Sequence, residues 1–381
     1  MSAIDQSIDP LAQADPQTPD LLGPRALMWR KFKRHKIAYF SLWLVGFIYI
    51  VALFGHFFAP ADPGQTNRRG IFVPPQGIHF FVTDQNGDSR FQLHANALDM
   101  KIDQATMRRS YEDSEDEIIP LGFFVEGHEY TVLGLFPAHR HFFGPIDPDD
   151  TFYLFGSDRL GRDILSRIVA GTAVSMSIGL VGVVVSLVIG VSLGGISGFY
   201  GGWIDNLIQR LIEFLRSIPT IPLWMGLAAA IPLGWPPLRT YFIVTLIVSM
   251  IGWTSLAREV RGKFLSLRSE DFITAARLDG LSDWEVIRKH MVPSFSSHII
   301  ASLTLAVPLM ILAETSLSFL GIGLQPPIIS WGTLLKEAQN IRTIIEAPWL
   351  LIFPGATIVV AVLALNFLGD GLRDAADPNA H

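Results

Sequence analysis

The sequence predicts an all-α polytopic membrane protein with six transmembrane helices, both termini in the cytoplasm (N-in/C-in), and a small β-rich extracytoplasmic insertion between helices 1 and 2. Half of the 381 residues are apolar and only 17% are charged, against about 25% charged residues in a typical soluble domain. The mean hydropathy is +0.37. Uncharged runs long enough for the roughly 20 residues that cross a bilayer core recur along the chain.

Charge and composition exclude several other classes of protein. The net charge of −6 provides no general basic surface for the phosphates of a nucleic acid. The absence of cysteine excludes disulfides, thiolate catalysis, iron–sulfur clusters and cysteine-ligated zinc. A membrane protein is the class that remains.

The first predicted span covers residues 37–58, which contain no Asp, Glu, Lys or Arg. A basic, cytoplasmic N-terminal tail, residues 1–36, precedes it. Ala59-Pro60-Ala61 resembles a signal-peptide cleavage site, so a cleaved signal peptide is the alternative. Because the apolar core of a signal peptide has only about 7–15 residues, we predict an uncleaved anchor.

Five further apolar runs predict the other spans: 168–204, the run between Arg216 and Arg239, 240–257, 291–313 and 347–369. The run 168–204 is too long for one span, so we predict that its end turns at 198–202. The run after Arg216 is broken by three prolines, which membrane helices tolerate where neighbouring groups satisfy the freed carbonyls.

The distribution of Arg and Lys orients these spans. With the N-terminus inside, the short inside segments carry 16 Arg and Lys and the short outside loops carry three. Positive residues concentrate in cytoplasmic loops, which predicts the N-in/C-in topology. Without a third span the basic loop 258–290 would lie outside, so the charge distribution supports six spans.

This topology places an extracytoplasmic insertion at 59–165, a core with the other five helices at 166–370 and a cytoplasmic C-terminal tail at 371–381. The insertion holds 17 acidic and nine basic residues, most of the negative balance of the chain.

Local patterns predict β structure inside the insertion. Residues 123–133 indicate a β-hairpin with its turn at 126–129. Residues 80–82 and 91–93 could add strands, and the acidic stretch 111–117 is predicted as a solvated loop.

Two histidines of the insertion suggest a metal site. His139 and His141 precede Asp147, Asp149 and Asp150, and these side chains can bind a divalent cation. An ordinary polar loop explains the same residues. We therefore predict no metal, no bound cofactor and no catalytic residue in this chain.

Gly190 and Gly194 lie four residues apart in the second span. Small residues at this spacing let helix backbones approach closely in lipid. We predict a role in helix packing, with a pore-lining role as the alternative.

The cytoplasmic loop 258–293 begins with signals for a short helix. Ser269 is its predicted N-cap, Glu270 and Asp271 favour its first turn, and Gly280 is a suitable stop.

A second short helix follows. Ser282 and Glu285 have the spacing of a capping box, and Pro293 ends the helix. Two short helices joined at a glycine predict a rigid protrusion that can transmit movement from a docked partner. A charged loop at the membrane interface is the alternative that the pattern leaves open.

The spacing of residues in the loop 258–293 resembles a known family signature. Ala275-Ala276, three residues, Gly280, nine residues and His290-Met291-Val292-Pro293 resemble the cytoplasmic loop signature of ABC-importer permease subunits. That signature has Glu-Ala-Ala where this chain has Thr274 before the alanines. Lys289-His290 is similar to the Arg-His or Lys-His pair that members of the oligopeptide/dipeptide branch of this family often have before the apolar residue and proline.

Other segments resemble the same branch, closely over 153–378 and loosely over 25–60. They include Trp331-Gly332, 198–205, 314–321, 369–374 and a motif before the second helix that contains Gly156, Asp158, Gly161, Arg162 and Asp163. Residues 65–150 exceed the usual external loop of this branch, so the resemblance implies nothing about their role.

The resemblance implies a permease core at 166–370 that forms half of a channel in the bacterial plasma (inner) membrane. The implied partners are membrane lipid, a homologous second permease, two ATP-binding subunits and an extracytoplasmic solute-binding protein. The ATP-binding subunits would dock on the loop residues Thr274, Ala275, Ala276, Gly280, Ser282, Glu285, His290 and Pro293.

The resemblance also implies that this chain is not itself an enzyme. The sequence has no Gly-x-x-x-x-Gly-Lys-Ser/Thr phosphate loop, so ATP and magnesium would be bound by the partner subunits. The implied solute is a peptide or peptide-like molecule, although nickel complexes, opines, glycosides and peptide antibiotics use similar permeases. A secondary transporter and an externally acting membrane enzyme are the alternative functions.

Overall fold

The fold is given by a computed structural model, which describes residues 24–83, 89–102, 104, 109–232 and 234–376. The predicted tails fall partly outside this range, so only 24–36 of the first tail and 371–376 of the second are described.

Three helices form the beginning of the described chain: α1 (Pro24–Arg34), α2 (Lys36–Leu53) and α3 (Gly55–Phe58). His35 separates the first two, and its Nδ1 accepts a hydrogen bond from the Ala38 N–H at 3.1 Å. The predicted first span, 37–58, is therefore a helix that breaks at Phe54 and continues for one short turn.

Four antiparallel strands follow in the order β1 (His79–Thr83), β2 (Ser89–Ile102), β3 (Arg109–Val132) and β4 (Phe136–Pro145). Their small core contains Ala95, Ile119 and Leu121, with Phe152 from the chain after β4.

Two expectations about these strands are wrong. The stretch 111–117 belongs to β3 rather than to a loop, and the hairpin turn lies at 133–135 rather than at 126–129. The pairing of β3 with β4 instead shifts between Glu126 and Tyr130. Gly127 is needed in this irregularity, because a Cβ there would lie 2.6 Å from Cδ2 of His141.

The next four helices are α4 (Ile164–Tyr200), α5 (Gly202–Ser217), α6 (Thr220–Ala229) and α7 (Pro237–Leu267). α4 is one continuous helix of 37 residues. The predicted turn is confirmed at Gly201 and Gly202, which have φ of +65° and +60°. Gly198, by contrast, lies inside α4, where a Cβ would come within 2.7 Å of the Arg261 carbonyl oxygen.

The remaining elements begin with α8 (Asp271–Leu278), α9 (Asp283–Val286), a π turn (Ile287–Met291) and α10 (Val292–Ser294). They end with α11 (Ser296–Phe319), α12 (Trp331–Glu337), α13 (Ile341–Glu346) and α14 (Trp349–Ala376).

The long helices pack with their ends aligned. α4 and α7 are parallel, because Tyr241 donates to Ser177 at 3.0 Å near their starts and Gly198 faces Arg261 near their ends. α14 is antiparallel to both α11 and α2, as the contacts of Gly369 with Leu305 and of Gly371 with Ala38 require.

These contacts define two ends of the bundle. The end of α4 and α7 together with the start of α2 and α11 forms one end, and residues 271–294, which we call the knob, lie there. We call it the knob end. The opposite end holds the start of α4, α7 and α14, and we call it the far end.

Within the described residues, the five helices α2, α4, α7, α11 and α14 are long and apolar enough to cross a membrane. The third predicted run folds as α6, whose ten residues span only about 15 Å. Pro232 follows shortly after its last residue, and Pro236 and Pro237 are already the N-cap and the first residue of α7. The count of six spanning helices is therefore not confirmed.

Candidate functional site

The first half of the knob ends at Gly280. The Leu281 N–H donates to the Ala276 carbonyl at 3.3 Å and the Gly280 N–H donates to the Arg277 carbonyl at 3.0 Å, which is a Schellman motif. Gly280 has a φ of +83°. A Cβ there would meet no atom within 4 Å, so the backbone conformation and not a lack of space favours glycine.

The second half begins with the predicted capping box. The Glu285 N–H donates to Ser282 Oγ at 3.4 Å, and the Ser282 N–H donates to Glu285 Oε2 at 3.2 Å. Lys289 Nζ donates to Glu285 Oε1 at 2.9 Å. The Lys289 ammonium, followed by the N–H and hydroxyl of Ser282, lowers the pKa of Glu285 to about 2.

The predicted cap of the first helix is wrong. The N-cap is Glu270, which makes no side-chain cap, and the Ser269 hydroxyl donates to the Ser266 carbonyl at 3.3 Å. Only three residues separate α7 from α8, so Ser269 lies in a tight connection, where its hydroxyl bonds to the preceding helix and not to α8.

A π turn at Ile287–Met291 precedes Pro293. Proline has no N–H, and its ring clashes with the carbonyl four residues earlier in a regular helix. The wider π turn, in which the Val292 N–H donates to Ile287, accommodates the proline without ending the chain's helical course. The single helix predicted from Ser282 to Pro293 is therefore three joined elements, α9, the π turn and α10, and Pro293 lies inside the last of them.

One face of the knob is packed against the bundle. Ile273, Val286 and Met291 are fully buried with Phe264 of α7 and Phe199 of α4. The Arg277 guanidinium lies 4.6 Å from the centre of the Phe199 ring, a cation–π contact that fastens the end of α8 to α4. The knob is therefore a fixed protrusion of the bundle.

Three other large apolar side chains of the knob are exposed. Phe272, Leu278 and Trp284 are exposed by 44%, 83% and 66%. Thr274 and Ala275 are also exposed, whereas Ala276 is buried and His290 is half-buried. The sequence motif singles out the backbone spacing of the knob but not these three large apolar side chains.

The motif before α4 folds into a buried cluster of charges at the far end. The Asp158 carboxylate accepts from Arg162 Nε at 2.6 Å and from Arg167. The Glu337 carboxylate of α12 accepts two hydrogen bonds from Arg167, of 2.8 and 2.9 Å, and one from Arg162, of 3.0 Å. We call these four residues the Arg–carboxylate cluster.

The other motif residues shape the backbone around this cluster. Gly156 and Gly161 have φ of +78° and +75°. Asp163 caps α4 by accepting from the Ser166 N–H at 2.7 Å, and burial raises the pKa of Asp163 to about 6. The motif thus joins the insertion to the bundle. Glu337 could not be found from the sequence, because it lies far along the chain in a segment with no matching signal.

Gly190 and Gly194 lie where α4 packs on α7. A Cβ on Gly190 would be 3.0 Å from Cβ of Leu256, and one on Gly194 would clash with the Ala257 carbonyl oxygen. Both glycines therefore lie at a close approach of the two helices, and their role in packing stays a prediction.

The two histidines of the insertion do not share a site. Both ring nitrogens of His141 face carbonyl oxygens, of His56 at 2.9 Å and of His128 at 3.0 Å, whereas His139 is exposed near Glu126. Burial, and then the neighbouring His141, lowers the pKa of His128 to about 4. Among the described residues no group of three or more His, Asp or Glu is arranged to hold a metal ion.

A cavity of about 530 Å³ lies between α4, α6, α7 and α11. Trp224 and Met310 line its apolar part. Near the knob end Ser302 donates to Glu259 Oε2 at 2.7 Å, and His298 Nε2 lies 3.7 Å from the same oxygen.

A bundle of apolar helices with a fixed protrusion between two of them defines a multi-pass membrane protein. Residues 190–381, half of the chain, match the family described as binding-protein-dependent transport system inner membrane component. Residues 23–75 match the N-terminal TM domain of oligopeptide transport permease C. The chain belongs to the first of these families and is a multi-pass inner membrane protein, which confirms the resemblance to ABC-importer permeases.

Individual relatives extend the match. The dipeptide transport system permease protein DppC of Lactococcus lactis subsp. cremoris is 29% identical over 357 residues, which cover 92% of this chain and 90% of that protein. The glutathione transport system permease protein GsiD of Pectobacterium atrosepticum is 40% identical over 58% of this chain and 71% of that protein. The oligopeptide transport system permease protein OppC of Haemophilus influenzae is 38% identical over 60% and 70%.

Among solved structures, an inward-facing MetNI methionine ABC transporter matches 55% of this chain and 95% of its own chain. The TM-score is 0.42 and the identity is 18%.

Proposed function

We propose that the chain forms one half of the channel of an ATP-driven importer for peptides or peptide-like solutes. In this proposal a homologous permease forms the other half, an external binding protein delivers the solute, and two partner subunits bind ATP and magnesium. The curated relatives named for dipeptides, oligopeptides and glutathione support this solute class.

The knob is the observation that carries the proposal. Its inner face is fixed to α4 and α7, while Phe272, Leu278 and Trp284 expose a large apolar area at its surface. Large aromatic and aliphatic side chains that stay exposed on a fixed protrusion are typical of a protein interface. An ATP-binding subunit that grips this surface would move the knob together with the helices on both sides of it.

The contacts of α5 and α6 support six membrane crossings with the knob in the cytoplasm. α4 and α7 are parallel, so the chain between them must return along the bundle. Along this return Arg216 donates to Ser255 at 3.4 Å, Trp224 lines a cavity with Val248, and Ile231 packs near Tyr241. Each step lies closer to the start of α7, and the third crossing therefore consists of α6 and flanking non-helical chain.

The cavity between α4, α6, α7 and α11 is the part of the channel that we assign to this chain. Its volume of about 530 Å³ suits a small peptide. Glu259 and His298 offer polar contacts at the end nearest the knob.

The decisive experiment exchanges Gly280 in the importer reconstituted with its partners in liposomes. Gly280→Val forces a β-branched residue to a φ of +83°, which costs about 1–2 kcal/mol or straightens the hinge. Gly280→Asn is the matched control, because asparagine tolerates this conformation. We expect the valine variant to lose solute-stimulated ATP hydrolysis and uptake, and the asparagine variant to keep both.

Membrane insertion and binding-protein docking should be unchanged in both Gly280 variants, because neither involves the knob. If Gly280→Val is assembled normally and imports solute at the unmutated rate, the knob does not couple ATP hydrolysis to transport.

Topology is tested independently with reporter fusions. Fusions after residues 20, 265 and 378 should report the cytoplasm, and a fusion after residue 110 should report the outside. An external signal at 265 would mean that the chain between α4 and α7 does not cross the membrane.

A further inference from the structure

The turn between β3 and β4 is unusually apolar for an exposed hairpin tip. No charged residue or histidine occurs between Glu129 and His139. Leu133, Leu135 and Phe136 are exposed by 57%, 72% and 68%. A turn in water is normally built from Gly, Asn, Asp or Ser, so this sequence suits a tip that does not end in water.

The backbone of the turn makes the choice of leucine more informative. Leu133 has a φ of +51° and Gly134 a φ of +70°. Consecutive positive φ values in a hairpin favour Asn-Gly, and a leucine in this region is strained. The apolar side chain is therefore present against the local conformational preference, as expected where the side chain has a binding partner.

The position of the tip identifies that partner. A cavity of about 280 Å³ is lined on one side by Leu53, Phe54 and Phe57 and on the other by residues 130–134. Leu53 is the last residue of the spanning helix α2. The tip therefore lies beside the place where α2 reaches the surface of the membrane at the far end.

The surface of α2 continues the apolar surface of the tip. Only 17% of the apolar window of α2 is buried, the lowest share of the five spanning helices, and Phe40, Trp43 and Phe47 are exposed along it. The Tyr130 ring stacks on His56 at 5.8 Å between this helix and the tip. Tyrosine is enriched at the membrane–water interface, because this region accommodates both its apolar ring and its polar hydroxyl.

We propose that residues 132–136 form a lipid-binding loop that enters the interfacial layer of the bilayer at the far end. The charged residues Glu126, Glu129 and Arg140 begin farther along the hairpin, where it leaves the lipid. Together with α3, this second attachment holds the β insertion in a fixed orientation over the bundle. The proposal requires only that the chain spans a membrane and is independent of the solute and of the ATP-binding subunits.

Spin labelling tests the proposal directly, because the chain has no cysteine to replace. Leu135→Cys and Ser110→Cys are labelled in the full chain, which is assembled in liposomes with the partner permease and the ATP-binding subunits, and each label is measured before and after the binding protein is added. Ser110 is exposed on the same sheet, at the opposite end of β3. We expect the label at 135 to collide readily with oxygen. With a water-soluble nickel complex, it should collide several-fold less often than the label at 110 does.

Equal access of the nickel complex to both labels would overturn the proposal. So would a label at 135 that becomes protected only when the binding protein is added, because that result assigns the tip to protein docking. Leu133→Asn provides a second variant that relieves the strained turn instead of disrupting it. With the 135 label in place, this variant should bring the tip closer to water while the sheet stays folded.

Discussion

The knob and the Arg–carboxylate cluster lie at opposite ends of the same bundle and use their polar residues in opposite ways. In the cluster, Asp158 and Arg167 are almost fully buried and bind each other, and Arg167 also binds Glu337. In the knob, the ion pair of Glu285 with Lys289 is exposed, and large apolar side chains lie at the surface. A motif whose charged side chains bind one another is a structural joint. A motif that leaves large apolar side chains exposed is suited to binding a partner protein.

The largest effect that this comparison predicts follows Glu337→Ala. The substitution leaves Arg167, whose side chain is 3% exposed, with one carboxylate instead of two. Breaking a buried charge network by removing one partner typically costs about 3–5 kcal/mol. We expect a markedly lower thermal midpoint for the purified protein, measured by the loss of its folded, monodisperse form on heating.

Glu213→Ala is the control for this loss of stability. Glu213 pairs with Arg210 at 2.9 Å, but both side chains are more than half exposed, and such pairs contribute about 0–1 kcal/mol. Equal midpoints for Glu337→Ala and Glu213→Ala would mean that the cluster is not a structural joint.

The two regions also differ in how much the sequence could predict. Capping and stop signals are local, so the box of Ser282 with Glu285 and the left-handed Gly280 could be identified from neighbouring residues. The partner of Arg167 is 170 residues away. Such a pairing depends on how α12 packs against the start of α4, which no local pattern contains.

Membrane spans and strands show the same limit. Length and hydropathy predicted the five long helices. The third predicted span contains several prolines, and its only complete helix, α6, has ten residues. In the insertion, the local sequence predicts that Gly127 is a turn residue, because glycine is typical of turns. In the fold it is a strand irregularity required by the His141 ring.

The next largest effect is expected at the exposed apolar surface of the knob. Trp284→Ala should weaken docking of the ATP-binding subunits by about tenfold in Kd, because an exposed tryptophan at an interface centre contributes about 1.4 kcal/mol or more. Trp203→Ala is the control, since Trp203 is 74% exposed on α5, outside the knob. Co-purification at graded subunit concentrations measures the difference. Thermal stability of the isolated chain should be the same in both variants, and equal losses of docking would place the interface elsewhere.

The third prediction concerns the capping box and is smaller. Ser282→Ala removes the acceptor for the Glu285 N–H, which costs about 1 kcal/mol, or roughly a fivefold increase in local opening. Hydrogen exchange of the amides in α9 should accelerate by that factor, while α8 stays protected through its own Schellman motif. Exchange that is unchanged in α9 would show that the π turn and not the box holds the start of this helix.

The smallest expected effect is a dependence of the knob on pH, and it comes from Glu285. The ammonium of Lys289 and the groups of Ser282 lower the pKa of Glu285 from 4.5 to about 2. A carboxyl with a lowered pKa stabilises the fold above its unfolded value, and the contribution is lost as the pH falls toward the folded value. Protection of the α9 amides, corrected for intrinsic exchange, should therefore stay constant from neutral pH to about 4.5 and decline toward pH 2. In Glu285→Gln the amide oxygen can still accept from the Ser282 N–H but has no charge to titrate, so the acid-dependent decline in α9 should disappear. A decline of the same size in both proteins would assign it to general acid unfolding, and the exposed charges of the knob would then contribute nothing to its shape.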